Sequence, residues 1–205
     1  MNKIKIAVFV SGSGTNCENI IRYFQNSPTV DVAMVVSSNP QAGAIDKARR
    51  LNVPTAIITR AQLLDNPQAA IETVGDCDLI VLAGFLPRVP DCLIEKFPHR
   101  IVNIHPSLLP KFGGKGMWGR HVHEAVKAAG ETRTGITVHY VSPELDGGEL
   151  IAQYSAAISP DVDTVDDIAA KVHELEMKYF PAVIEKVAEQ VALERGKILR
   201  EQAGL

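Results

Sequence analysis

The sequence predicts an α/β fold of the Rossmann-like type: a mainly parallel twisted sheet with helices on both faces and an antiparallel strand near the C-terminal part. Short apolar runs alternate along the chain with segments of helical periodicity, as expected of buried parallel strands joined by right-handed crossover helices. A glycine-rich turn follows the first run, over residues 11–16. In such sheets ligands bind beyond the carboxyl ends of the strands, so we expect the functional site there.

Length and composition limit the classes of function. The 205 residues, 46% hydrophobic and 22% charged, are enough for one sizeable core and predict a single domain spanning 1–205. The net charge of −3 provides no basic surface for nucleic acid, and no apolar run approaches the length that spans a membrane. We expect no secretory signal at the start of the chain and therefore a cytoplasmic protein. We expect small-molecule partners, and a homodimer is possible. Its three cysteines lie far apart, which argues against a disulfide framework and a zinc site.

The first half of the chain alternates strands and helices. Ile4 to Val10 is a near-continuous apolar run that predicts a buried strand, and helical spacing resumes at Ile20 after the glycine-rich turn. The further elements predicted here are a strand over 30–36, a helix over 42–51, a strand over 54–58, a helix over 61–74 that Pro67 interrupts, a strand over 78–83 and a short helix over 92–97.

The second half continues this alternation and then changes character. A strand over 101–105 is followed by a helix over 120–129, an alternating strand over 134–141 and a return strand over 149–158. An amphipathic stretch begins at Asp163, with Pro181 marking a boundary or kink before a helix over 182–202.

The turn at 11–16 lies at the predicted start of a helix, where backbone N–H groups and the helix dipole favour an anion. A dinucleotide-binding fingerprint would have a third glycine at the position of Cys17 and an acidic residue ending the next strand, where Ser37 stands. We therefore expect no nicotinamide cofactor and favour a phosphorylated substrate. A plain tight turn is the alternative.

Asn103 and His105 form the strongest candidate for chemistry. They alternate onto one face as a predicted strand ends, and Pro106 and Pro110 then stiffen the loop. A histidine that carries a proton near neutral pH and a neutral amide donor could together stabilise an oxyanion. Alternatively, the histidine satisfies a buried carbonyl and the asparagine caps a turn.

Asp146 is a candidate partner for this pair. Two glycines follow it, which allows the loop to bring a carboxylate close to another group; an ordinary turn-forming aspartate is the alternative. The glycine-rich segment 112–119 predicts a mobile loop, a candidate lid. His121 and His123 do not predict a metal site, because residues two apart on a helix do not face each other; the start of a helix at the rim of the site explains them as well.

Four motifs together resemble one family, that of the folate-dependent phosphoribosylglycinamide formyltransferases, over essentially the whole chain. They are Gly12-x-Gly14-Thr15-Asn16, Leu82-Ala83-Gly84-Phe85, the run from Asn103 to Pro110, and Leu145-Asp146-Gly147-Gly148. The resemblance implies transfer of a formyl group from 10-formyltetrahydrofolate to the primary amine of glycinamide ribonucleotide in purine biosynthesis, with no metal.

The resemblance also implies roles for individual residues. It implies that Asn103, His105 and Asp146 are catalytic. Those implied to bind the ribonucleotide are Gly14, Thr15, Asn16 and Glu176, and those implied to bind folate are Leu86, Pro87, Arg88, Val89 and Asn103, with the backbone of 141–146.

The chain departs from many family members at two places. Its basic residue after Gly84-Phe85 is displaced by one position, to Arg88, and the loop over 112–119 is longer. Methionyl-tRNA formyltransferase would require a further C-terminal domain and a basic face, and formyltetrahydrofolate hydrolase would require a domain before the first strand; we expect neither here. A non-catalytic sensor of a phosphorylated ligand is an alternative from another class.

Overall fold

The computed structural model describes residues 2–202, and within them seven strands form one sheet. The strands are β1 (Ile4–Val10), β2 (Val30–Ser37), β3 (Thr55–Ile57), β4 (Leu79–Leu82), β5 (Ile101–His105), β6 (Arg133–Tyr140) and β7 (Leu150–Ala157). Their order is β3-β2-β1-β4-β5-β6-β7; the strands from β3 to β5 are parallel, and β6 pairs antiparallel with both β5 and β7. The predicted fold class is thereby confirmed.

Helices cover both faces of the sheet. They are α1 (Thr15–Phe24), α2 (Gly43–Arg50), α3 (Arg60–Asp65), α4 (Ala69–Val74), α5 (Asp91–Lys96), α6 (Arg120–Ala128) and α7 (Val165–Gln202). The strand β1 shows why two layers form: Ile6 and Val8 pack in a core with α1, α2 and α7, while Ala7 and Phe9 pack in a second core with α3, α4 and α5. Alternate side chains of one strand thus hold both layers together.

The sheet changes direction between β1 and β4. From β1 the chain proceeds outward to β2 and β3, and it then returns to β4 on the other side of β1 and proceeds to β5. The connections leaving the carboxyl ends of β1 and β4 therefore diverge and leave a crevice, which is where this class of sheet binds ligands. None of the described helices combines the length and apolar character needed to cross a membrane.

Two predicted helices differ in detail from the structure. The segment 61–74 is two helices, because a capping box at Thr59 and Gln62 starts α3 and the turn at Pro67 separates it from α4. Pro181 is not a boundary, since α7 continues through it. A proline cannot donate to the carbonyl four residues earlier, that of Met177. In this fold the amide of Asn19 on α1 donates to that carbonyl at 2.8 Å, which satisfies the group that Pro181 leaves unpaired.

Candidate active site

A cleft of about 940 Å³ opens at the crevice between β1 and β4 and extends over β5. The segments 11–16, 84–90 and 103–116, at the carboxyl ends of β1, β4 and β5, all contribute to its walls. The cleft also brings together every site residue named from the sequence: Gly14, Thr15, Asn16, Leu86, Pro87, Arg88, Val89, Asn103, His105, Asp146 and Glu176.

The strand β5 presents Asn103 and His105 on the same face, and His105 is only 4% exposed. The loop after it is held by Thr137, the cross-strand neighbour of His105 on β6. The hydroxyl of Thr137 donates to the carbonyl of Ser107 at 2.7 Å and accepts from the backbone N–H of Leu109 at 2.9 Å. This buried side chain therefore fixes the path of the chain just beyond the histidine.

The two ring nitrogens of His105 have different partners. Nε2 lies 2.7 Å from the carbonyl oxygen of Phe112. Because a carbonyl only accepts, Nε2 carries a hydrogen and donates it. Nδ1 lies 3.6 Å from Oδ2 of Asp146, too far for a good hydrogen bond but close enough for an ion pair. Nδ1 is thus the ring atom left for a bound substrate, with the Asp146 carboxylate beside it.

Asp146 reaches His105 because the loop between β6 and β7 folds back. Asp146 itself has a left-handed backbone with φ of 55°, so the turn-forming alternative describes its conformation correctly. A Cβ at Gly148 would lie 1.7 Å from the carbonyl oxygen of Tyr140, so only glycine allows this close return to β6. The carboxylate also accepts from the backbone N–H of Gly114 at 2.8 Å. The turn and the contact with His105 are therefore parts of one arrangement.

His139 belongs to the same cluster and was not singled out from the sequence. It lies directly opposite Asn103 in the β5–β6 pairing, and its Nε2 is 3.1 Å from the amide nitrogen of Asn103. Burial lowers the pKa of His139 below its ordinary value of 6.5, an effect that the hydrogen bond to Tyr140 and the charge of Asp146 oppose. The sequence could have indicated His139 through its place in an alternating strand, where it shares a face with Thr137.

The turn over 11–14 leads into α1, as an anion-binding loop requires, but its second glycine also has a packing role. Gly14 has a φ of 74°, and a Cβ there would lie 2.4 Å from Cβ of Ala44 on α2. Gly12 differs, because a Cβ there would meet nothing within 4 Å. Packing by itself therefore requires a glycine at position 14, whereas Gly12 borders open space in the cleft. Phosphate binding at this turn stays a prediction.

Asn16 and Glu176 form a polar pair on the cleft wall. The amide nitrogen of Asn16 donates to Oε2 of Glu176 at 2.9 Å, and Nδ1 of His173 lies 3.3 Å from the same oxygen. Burial raises the pKa of Glu176, and the hydrogen bonds from Asn16 and His173 oppose that rise. Oδ1 of Asn16 is buried and has no hydrogen-bond partner among residues 2–202. This wall therefore offers acceptor atoms, which suit an amine or a hydroxyl.

The loop 84–90 forms a further part of the cleft wall. The backbone N–H of Leu86 donates to Oγ of Ser11 at 2.9 Å, which joins this loop to the turn after β1. The side chain of Leu86 is 60% exposed, whereas Val89 is buried in the core. Arg88 pairs with Asp91 at 2.7 Å and lies 3.4 Å from the carbonyl of Pro143. Apolar surface and one guanidinium thus border the cleft here.

The segment 112–119 covers one side of the cleft and is anchored to the site through the Phe112 carbonyl and the Gly114 N–H. Its mobility stays a prediction. Of the two histidines that follow, His121 is exposed and pairs with Glu124, and His123 is buried and lines the cleft. Burial lowers the pKa of His123, as do the charges of Arg120 and His105. Within residues 2–202, no group of three or more His, Cys, Asp or Glu side chains could hold a metal ion.

Comparison with known proteins identifies relatives of the chain. The model of the formyl transferase family matches residues 4–184. The chain is 36% identical over 189 residues to the phosphoribosylglycinamide formyltransferase of Bacillus subtilis, covering 89% of this chain and 94% of the relative. It is 34% identical over 193 residues to the chloroplastic phosphoribosylglycinamide formyltransferase of Arabidopsis thaliana, covering 91% of this chain and 66% of that protein's length.

A solved structure extends these likenesses to three dimensions. The glycinamide ribonucleotide transformylase 1 of Symbiobacterium toebii superposes with a TM-score of 0.83 at 32% identity, covering 92% of this chain and 89% of the other. The sequence comparison and the structural comparison therefore identify the same kind of relative.

Proposed function

The chain belongs to the formyl transferase family, and from this membership and the geometry of the cleft we propose that it transfers a formyl group from 10-formyltetrahydrofolate to the amine of 5'-phosphoribosylglycinamide. This reaction is a step of purine biosynthesis. We take its compartment to be the cytoplasm. The formylated folate acts as a co-substrate.

The reaction begins with attack of the neutral amine on the formyl carbon. The carbonyl electron pair moves to oxygen, and the resulting tetrahedral intermediate needs fixed donors at that oxygen. We assign this role to the amide nitrogen of Asn103 and to Nδ1–H of the His105 imidazolium. The amine nitrogen then loses a proton to Asp146, directly or through water. Collapse of the intermediate breaks the bond to N10 of the folate, and N10 takes up a proton.

One observation carries this proposal: a donor pair on β5 and a carboxylate meet in a buried corner of the cleft. His105 is 4% exposed, and Asp146 lies 3.6 Å from its Nδ1. In such a corner a charge or a hydrogen-bond donor acts more strongly than in water, which makes the two donors effective at the developing oxyanion.

The two ends of the cleft suit the two substrates. For the ribonucleotide we propose that the turn containing Gly14, Thr15 and Asn16 takes the phosphate at the start of α1 and that Glu176 accepts from the sugar or glycinamide part. For the folate we propose the apolar wall from Leu86 to Val89 together with the backbone of 141–146. Asn103 lies between the two and contacts the formyl group.

The proposal is tested with purified protein, both substrates and each substrate omitted in turn. We expect N-formylated ribonucleotide and tetrahydrofolate only when both substrates are present, and much slower product formation with a His105→Ala variant that stays folded. Release of formate from the folate without acceptor would indicate a hydrolase instead. Binding of the ribonucleotide without any turnover would indicate a sensor.

A further inference from the structure

The side chain of His139 has a hydrogen-bond partner at each ring nitrogen, and the two partners define its protonation. Nδ1 lies 2.9 Å from the backbone carbonyl oxygen of Tyr140. A carbonyl oxygen has no hydrogen to give, so Nδ1 carries the hydrogen of this bond. If the ring is neutral, Nε2 then has a free lone pair and can only accept.

Burial makes the neutral ring the favoured form. His139 is 3% exposed, and its pKa lies below the ordinary 6.5 because burial penalises the charge. The charged groups that face it act in opposite directions: Asp146 favours the imidazolium and His105 disfavours it. Oδ1 of Asp146 is 3.8 Å from Nε2, beyond hydrogen-bond distance, so Asp146 does not take a hydrogen from this nitrogen.

The neutral ring fixes the orientation of Asn103. An accepting Nε2 at 3.1 Å requires a donor, which is the amide nitrogen and not the amide oxygen. One N–H of this NH₂ group points at His139, and the other is free for a bound substrate. If the amide were turned over, its oxygen would face the lone pair of Nε2.

We propose that His139 is a positioning residue for formyl transfer: protonated at Nδ1, it accepts from Asn103 and so aims the second N–H of that amide at the developing oxyanion. A fixed series of hydrogen bonds then connects the β6 backbone to the reacting carbonyl, through the Tyr140 carbonyl, His139 and Asn103. Its donor needs no reorientation as charge develops, which is the condition for effective oxyanion stabilisation. The activity measurements that test this role rest on the proposed function, whereas a measurement of the His139 tautomer does not.

The tautomer is tested by ¹⁵N NMR of the full chain labelled at histidine, with His139→Gln to assign the signal. We expect the His139 signal at neutral pH to show a protonated Nδ1 and an unprotonated Nε2. An Nε2–H tautomer, or an imidazolium at pH 7, would overturn the proposal, because either form places a hydrogen between the ring and the Asn103 amide nitrogen.

A double-mutant cycle tests the coupling. His139→Leu removes the acceptor, and we expect kcat to fall on the order of 10- to 100-fold with a smaller change in KM, less than the roughly 100- to 1000-fold typical of losing an oxyanion donor. In an Asn103→Ala background the same substitution should cost almost nothing. His139→Gln, whose amide oxygen can replace Nε2 as acceptor, should recover most of the loss. His121→Leu is the control for the same change at an exposed histidine.

The outcomes separate the two proposals. A wild-type protein that does not transfer formyl would refute the function, while the NMR result still decides the tautomer. An active wild type in which the His139→Leu and Asn103→Ala losses multiply independently would refute the positioning role, as would a His139→Gln variant as impaired as His139→Leu. Thermal unfolding of each variant identifies any that fail to fold. If His139→Leu fails to fold, the test is made with His139→Gln.

Discussion

Oδ2 of Asp146 lies 3.6 Å from Nδ1 of His105, and the two side chains are only 11% and 5% exposed. The carboxylate comes from a loop that returns over β5, and the histidine comes from the strand itself. Their proximity therefore depends on the backbone of the 142–148 loop, with its left-handed Asp146, and on the N–H of Gly114.

The first prediction concerns this pair. His105→Ala and Asp146→Asn should each lower kcat on the order of 100- to 1000-fold, because the first removes a donor to the oxyanion and the second removes the base that takes the proton of the amine. Steady-state formyl transfer measures the loss, and thermal unfolding should show that both variants stay folded. His121→Ala, at an exposed histidine outside the cleft wall, is the control. Near-wild-type turnover in either variant would remove that residue from the mechanism.

The two glycines of the first turn should respond differently to substitution. Gly12→Ala places a methyl group in open space, so we expect weaker ribonucleotide binding, unchanged folate binding and little change in thermal stability. Gly14→Ala forces a left-handed φ on alanine and brings its Cβ against Ala44, so we expect a destabilised protein that binds both ligands less well. Calorimetric titration with each ligand tests this. Undiminished ribonucleotide binding by Gly12→Ala would count against a phosphate site at this turn.

The contribution of Glu176 to the stability of the fold should depend on pH. Its pKa is raised above the ordinary 4.5, so the folded state binds the proton more tightly than the unfolded state does. The stability it contributes is full below pH 4.5 and is lost as pH rises through the raised pKa. Glu176→Gln should therefore raise Tm relative to wild type at pH 8 but not at pH 4, while KM for the ribonucleotide increases.

Glu174→Gln is the matched control, because Glu174 lies on the same helix and is exposed. Thermal unfolding of the three proteins between pH 4 and pH 8 makes the comparison. If Glu176→Gln has the same Tm difference from wild type at both ends of that range, the buried carboxylate is not penalised as the structure indicates.

Asn19 should stabilise the helix at Pro181. Asn19→Ala leaves the Met177 carbonyl without its donor, and we expect a loss of about 1 kcal/mol in the free energy of unfolding, near the lower end for an unsatisfied buried group. In a Pro181→Ala background, a backbone N–H again faces that carbonyl, so Asn19→Ala should cost less. Urea unfolding of the four proteins measures the coupling; equal losses in both backgrounds would show that Asn19 acts elsewhere.

The sequence predicted the elements that depend on local pattern. The apolar run of β1 and the alternation of strands and helices are read from neighbouring residues, and the cleft at the carboxyl ends of the strands follows from that topology. The same logic brought Asn103 and His105 onto one face.

What the sequence did not predict depends on contacts between distant segments. His139 faces Asn103 only through the register of β5 with β6, and Asn19 reaches the Met177 carbonyl across 158 positions. The Phe112 carbonyl and the Gly114 N–H are backbone groups, which nearly every residue type provides, so no residue identity indicates them. The continuity of α7 was missed for the same reason: the compensation at Pro181 comes from another helix.

Direct formyl transfer is the central claim, and a single turnover with ¹³C-labelled formyl folate and excess ribonucleotide tests it. We predict that the label moves from the folate to the amine nitrogen of the ribonucleotide, with one formylated product for each tetrahydrofolate formed and no labelled formate. The His105→Ala variant, mixed under the same conditions, should leave the label on the folate. Label recovered as formate in the wild-type reaction, with the ribonucleotide unchanged, would contradict the account.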